Sequence, residues 1–219
     1  MSGWLIAPYA AWMALMMMLP SAPWAYAVRT GVTLALLIGA AVAAVRRRER
    51  AGGGCAHDRG TFAAPGDSEP SIFRFSFSFF RSQLLPGAAI GLLVLAIWIA
   101  PDSLDWYRRF CVVGDPYSAA APLDFHSPLT WIQLFGSAFV ISAAEELFFR
   151  KWLLDYAGFW WMLGLFAVEH NRPLVAAIAG TLYAFAFLRF GLPSAIIAHA
   201  VTNLGLGIYV LAVGAWQFW

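Results

Sequence analysis

Apolar residues along the chain fall into long, nearly unbroken runs instead of the spaced stripes of a water-facing fold. The first run covers about Trp4 to Leu19 and stops at Pro20. The second, about Ala25 to Val45, is interrupted only by Arg29 and ends abruptly at Arg46, Arg47, Arg48 and Arg50. Further runs cover about Leu85 to Ala100, Leu129 to Leu154, Phe159 to His170, Pro173 to Leu188 and Ser194 to Ala212. About 20 apolar residues are needed to cross a bilayer core as helix. The pattern therefore predicts an all-α fold, a polytopic membrane helix bundle of about seven hydrophobic segments. The run from Phe159 to His170 reaches only about 18 Å as helix. It is expected to be a half-span or a tilted helix whose end lines a cavity. No internal repeat is visible.

Composition agrees. Of 219 residues, 61% are hydrophobic and 12% charged, with mean hydropathy +0.69. A soluble domain carries roughly 25% charged residues. The eleven tryptophans fit membrane boundaries. A net charge of +2 gives no reason to expect a nucleic-acid partner. The arginines after the second run mark the cytoplasmic side, which places the N-terminus inside and the C-terminus outside. The start, Met1-Ser2-Gly3-Trp4, lacks a basic leader, so the first run is expected to be a retained span. Residues 1–45 then form two N-terminal helices and 46–85 a cytoplasmic loop. Within that loop Ser71–Arg81 alternates aromatic and polar residues and should lie at the head groups. Residues 86–219 form the membrane core. The loop from Pro101 to Ser127, with Asp102, Asp105, Asp115 and Asp124, belongs outside. Cys55 and Cys111 flank one span, so no disulfide between them is expected. His57 and His126 read as surface residues. The closing Trp216-Gln217-Phe218-Trp219 reads as an aromatic anchor at the interface.

Charge inside the runs changes the picture. Glu145, Glu146 and Arg150 sit within the fourth run, where a charged residue costs roughly 2.5–3.5 kcal/mol on insertion scales. Glu146 and Arg150 are four apart and share a helix face, whereas Glu145 points about 100° away. Later runs add Phe166 and His170, then His199 and Asn203, each pair four apart. An acid, two imidazoles and an amide can thus converge on one cavity. A glutamate near a histidine can strip a proton from water, and donors from His199 and Asn203 would suit an oxyanion. Each pair alone reads more simply as packing: a structural ion pair, or an interhelical polar contact. Buried Glu and His are also the material of proton-coupled transporters, though no repeated halves support that. One carboxylate and two histidines could hold zinc, but the His-Glu-x-x-His signature is absent.

Glu145-Glu146-x-x-x-Arg150, Phe166-x-x-x-His170 and His199-x-x-x-Asn203, in this order, resemble the three motifs of the CPBP family, the CAAX protease and bacteriocin-processing membrane proteins. The resemblance covers about Leu129 to Ala212. It implies a glutamic-type intramembrane endopeptidase, with Glu145 and His170 activating water and His199 and Asn203 holding the oxyanion. It further implies support from Glu146 and Arg150, no cofactor and no metal. The implied partners are a membrane protein or lipid-anchored peptide as substrate, and the implied location is a bacterial inner membrane. A finer likeness, in Phe166–Asn171, Ala198–Leu204 and the Trp-rich end, is to the branch associated with exosortase systems. Glu169 is not part of the three motifs and reads as a supporting acid. Some relatives are linked to bacteriocin immunity, so a binder without hydrolysis is the rival expectation.

Overall fold

A computed structural model describes residues 3–20, 22–52, 80–113 and 126–218. Cys55, His57 and nearly all of the 71–81 segment lie outside these. Eight helices carry the described residues: α1 (Ala7–Met18), α2 (Pro23–Gly52), α3 (Leu85–Ile99), α4 (Asp105–Cys111), α5 (Pro128–Ala157), α6 (Phe159–Val168), α7 (Pro173–Phe190) and α8 (Leu192–Val213). No strand occurs among the described residues. Five helical stretches are long and apolar enough to cross a membrane: Trp24–Arg46, Arg81–Ser103, Pro128–Ala157, Pro173–Phe190 and Leu192–Val213. The all-α reading holds, and the chain is an integral membrane protein. Two apolar helices are shorter. α6 is one, as its run predicts. The other is α1, whose 12 residues give about 18 Å of helix. The run from Trp4 to Leu19 thus yields less helix than its length suggests. It begins as a 3-10 turn at Gly3–Leu5, and Pro20 and Pro23 stop α1 from merging with α2.

Prolines and glycines set most helix ends. Pro128, Pro173 and Pro193 sit in the first turns of α5, α7 and α8, where the missing N–H would lack a partner anyway. Gly191 has φ 100° and turns α7 back into α8, a conformation that only glycine adopts readily.

Helix packing rests on small residues, because lipid supplies little hydrophobic drive between helices. Gly87 and Gly91 of α3 lie against α8. A Cβ on Gly91 would stand 2.5 Å from the Ala198 carbonyl oxygen, and one on Gly87 would stand 2.7 Å from that of Ser194. This close approach lets Thr202 Oγ1 reach the Gly91 carbonyl at 3.0 Å. α8 carries His199 and Asn203, so the contact fixes their depth and rotation. Gly91→Ala is expected to force α3 and α8 apart and to lower stability by about 1–3 kcal/mol. Thermal unfolding in detergent measures it, and an unchanged midpoint would show that the helices have slack.

Around the bundle, Leu92, Leu93, Trp160, Trp161, Phe185 and Leu188 are exposed, as lipid-facing residues should be. The interior is aromatic: Tyr9, Trp98, Phe149, Phe166 and Tyr183 form one cluster. At one end Arg172 is buried and bonded to Asp102 at 2.6 Å. Gln217 Nε2 donates to the other oxygen of Asp102 at 3.1 Å. The Arg172 guanidinium lies 4.6 Å from the Phe218 ring centre. The segment Trp216–Phe218 is therefore tied to the bundle through Arg172 and Asp102.

Candidate active site

Two wide, π-helical stretches of α5, Gly136–Ile141 and Glu146–Leu153, flank Ser142–Glu145, so Glu145 ends the stretch between them and Glu146 opens the second. Such stretches are uncommon and recur at functional positions. Glu146 and Arg150 are both fully buried, 3.1 Å apart. Arg150 also donates to the Gly180 carbonyl at 3.4 Å and lies 4.2 Å above the Phe166 ring centre. Gly180 makes room for this: a Cβ there would press on Phe166 at 2.8 Å. Glu146 has a second task. His199 Nδ1 donates to its Oε1 at 2.9 Å, and Tyr183 stacks on the imidazole with ring centres 4.7 Å apart. The tautomer follows. With Nδ1 carrying the hydrogen, Nε2 keeps its lone pair. That nitrogen lies 3.8 Å from Glu145 Oε2.

His170 is oriented in the same way. Its Nδ1 donates to the Phe166 carbonyl at 2.7 Å, across one turn at the end of α6, so its Nε2 is likewise unprotonated when the ring is neutral. Trp98 meets its ring edge-on at 5.7 Å. Asn203 lies one turn beyond His199 on α8. Its amide nitrogen donates to the Ser137 carbonyl at 3.0 Å and to Ser142 Oγ at 3.1 Å.

Glu145, His170, His199 and Asn203 all line a single cavity of about 200 Å³ whose wall also includes Trp98 and Phe218. A water occupies about 30 Å³ in the liquid, so a water and a peptide group fit together. All four residues singled out from the sequence are thus brought to one chamber, with Glu146 and Arg150 directly behind it. Glu145 Oε2 is buried and has no hydrogen-bond partner, which leaves it free for a water or substrate.

One participant, Tyr9, escaped the sequence reading, while Glu169 reads there as a supporting acid. Tyr9 of α1 donates to Glu169 Oε2 and stacks on Phe148. Glu169 Oε1 in turn lies 3.8 Å from His170 Nδ1. The pair is 160 positions apart, so no local spacing could join them. The available signal was that Tyr9 is the only hydroxyl between Trp4 and Leu19. Glu145, Glu169 and His170 each bring one ligand atom within 4.8 Å of the others. Among the described residues this is the group that could hold a metal ion.

No curated protein and no solved structure matches this chain. A family model does match, over residues 127–205 of the 219, and its description is type II CAAX prenyl endopeptidase Rce1-like. That stretch holds Glu145, Glu146, Arg150, His170, His199 and Asn203, so the part of the chain that supplies the chamber's acid, imidazoles and amide is the part that resembles these membrane endopeptidases.

Proposed function

We propose that the chain is an intramembrane endopeptidase that hydrolyses a peptide bond with a water activated by Glu145. The observation that carries this is the convergence of Glu145, His170, His199 and Asn203 on one chamber. Glu145 takes a proton from water, and the oxygen attacks the scissile carbonyl carbon. His170, through Nε2, accepts a hydrogen bond from the same water and orients it. The carbonyl becomes an oxyanion. His199, protonated from solvent before the attack and held as an imidazolium by Glu146 behind Nδ1, donates to it from Nε2 and keeps that proton through the cycle. Asn203 donates by giving up one of its two bonds to Ser137 and Ser142. The carbon–nitrogen bond then breaks, and Glu145 returns its proton to the departing amine. Each oxyanion donor of this kind is worth about 3–4 kcal/mol.

This mechanism needs no metal. Activity is expected to survive 1,10-phenanthroline; loss that zinc restores would transfer the water to an ion held by Glu145, Glu169 and His170. The substrate class is a membrane-associated protein or lipid-anchored peptide. The finer likeness to the exosortase-associated branch points to C-terminally tagged proteins, in a bacterial inner membrane with the N-terminus cytoplasmic.

The test is a library of acylated peptides incubated with purified protein in detergent and read by mass spectrometry. New fragments should appear with wild-type protein and vanish with His170→Ala. Fragments that persist in the variant would exclude the mechanism. An intact library would favour a binder instead.

A further inference from the structure

One wall of the chamber does not come from the helices of the bundle. Phe218 lines it, and the same ring lines a further cavity of about 420 Å³ whose wall includes Ile99, Asp102, Tyr209 and Gln217. Among the described residues Phe218 is the one common to both walls. It lies outside the stretch 127–205 that the family model matches. Its ring is therefore a partition between the chamber and a cavity at the end of the bundle.

The contacts that hold this partition gather around Arg172. Its Nη1 donates to the Gln217 carbonyl at 3.2 Å, and Gln217 Nε2 donates to Asp102 Oδ2 at 3.1 Å. The guanidinium lies 4.6 Å from the Phe218 ring centre, and Tyr209 meets that ring edge-on at 5.9 Å. The backbone behind it has little structure of its own. α8 ends at Gly214, whose φ of 71° turns the chain out of the helix. Only the three-residue 3-10 turn Trp216–Phe218 follows. So short a turn has no cooperative ladder of bonds to resist bending, and glycine adopts either hand of backbone freely. The segment is a strap with a hinge at Gly214 and a latch at Gln217.

The chamber needs an opening. It holds a peptide group and a water, yet a polypeptide must enter and leave. Trp98, Glu145, Phe166, Tyr183 and His199 are fixed on five different helices. The turn that carries His170 and Asn171 is pinned, because the Asn171 carbonyl accepts from Val113 N at 2.7 Å and the next residue, Arg172, is buried on Asp102. Parting α3 from α8 would break the close contacts of Gly87 and Gly91. Moving the strap breaks only its own two hydrogen bonds and its ring contacts.

We infer that Phe218 is a door: released from Arg172, the strap swings about Gly214 and joins the chamber to the 420 Å³ cavity, and the peptide to be cut reaches Glu145 by this route. That the visitor is a peptide to be cut rests on the hydrolytic reading of the chamber; the door itself does not.

Access is measured on full-length Leu206→Cys protein carrying Cys55→Ser and Cys111→Ser, since Leu206 lines the chamber and is 7% exposed. The probe is 2-aminoethyl methanethiosulfonate in detergent, followed by intact mass. A door open for about a tenth of the time or less slows entry, and weakens apparent substrate affinity, by that fraction. With Phe218 in place, labelling should thus run at least about tenfold slower than in the same protein unfolded in SDS. Phe218→Ala should restore about tenfold or more of that rate. Gln217→Leu, which keeps the ring but drops its bond to Asp102, should restore less. In peptide cleavage by protein with its native cysteines and Leu206, Phe218→Ala should lower KM about tenfold and leave kcat nearly unchanged.

Labelling as fast with Phe218 in place as in SDS overturns the door, and this readout needs no variant of the strap, so misfolding of Phe218→Ala does not spare the idea. Labelling that neither Phe218→Ala nor Gln217→Leu accelerates overturns it too. So does faster labelling with KM unchanged, because the substrate then enters elsewhere, between helices from the bilayer. Faster labelling in a protein that cleaves nothing refutes the hydrolytic reading and leaves the door standing. Intact cleavage with labelling unmoved by either strap variant does the reverse.

Discussion

Glu145→Gln abolishes peptide cleavage while leaving the protein folded. The carboxamide matches the carboxylate in shape but cannot take a proton from water. Loss of a general base lowers the rate by about 10²–10⁴-fold. The surroundings explain why folding is spared. Glu145 Oε2 makes no hydrogen bond, and His199 Nε2 lies 3.8 Å from it. A glutamine loses nothing structural there. The measurement pairs fragment yield with thermal unfolding of the same preparation. Residual activity within about tenfold of wild type, less than removal of a general base allows, would assign the base elsewhere, with Glu169 next in line.

Arg150→Met behaves in the opposite way, failing first in stability. Arg150 is fully buried, and its removal strands Glu146 as an unpaired carboxylate with no access to water. Breaking a buried pair from one side costs about 3–5 kcal/mol. For a chain of this size that corresponds to a fall in Tm of about 6–20 °C. The double variant Glu146→Gln/Arg150→Met should recover most of the loss, because no lone charge remains and the glutamine oxygen still accepts from His199 Nδ1. A double variant as unstable as the single one would mean that Arg150 acts mainly through Phe166 and Gly180.

The elements most legible in the sequence were those whose signal is local. Runs of apolar residues announce helices, and the run that begins at Pro173 matches its helix at that end. A four-residue spacing puts Glu146 beside Arg150 and His199 beside Asn203. The chamber was legible only as a convergence of rare polar residues, since lipid forbids such residues from facing outward cheaply. Three things were out of reach. The shortening of α1 comes mostly at its start, where Gly3–Leu5 forms a 3-10 turn that an apolar run does not announce. The Tyr9–Glu169 bond joins residues at opposite ends of the chain. The partners of Asn203, Ser137 and Ser142, depend on the rotation of α5 through its π-helical stretches, which no simple periodicity encodes.

The walls of the chamber have a consequence for how this protein can be dissected or recombined. Trp98 in the wall comes from α3, whose Gly91 seats α8, and Tyr9, the partner of Glu169, comes from α1, while the motif residues come from α5 to α8. The catalytic motifs are therefore not a transplantable cassette. Swapping the first hundred residues for those of a relative would keep every motif residue yet replace Trp98 and the partners of Glu169 and α8, and any successful chimera must exchange Tyr9 together with Glu169, and Gly91 together with the face of α8 it touches.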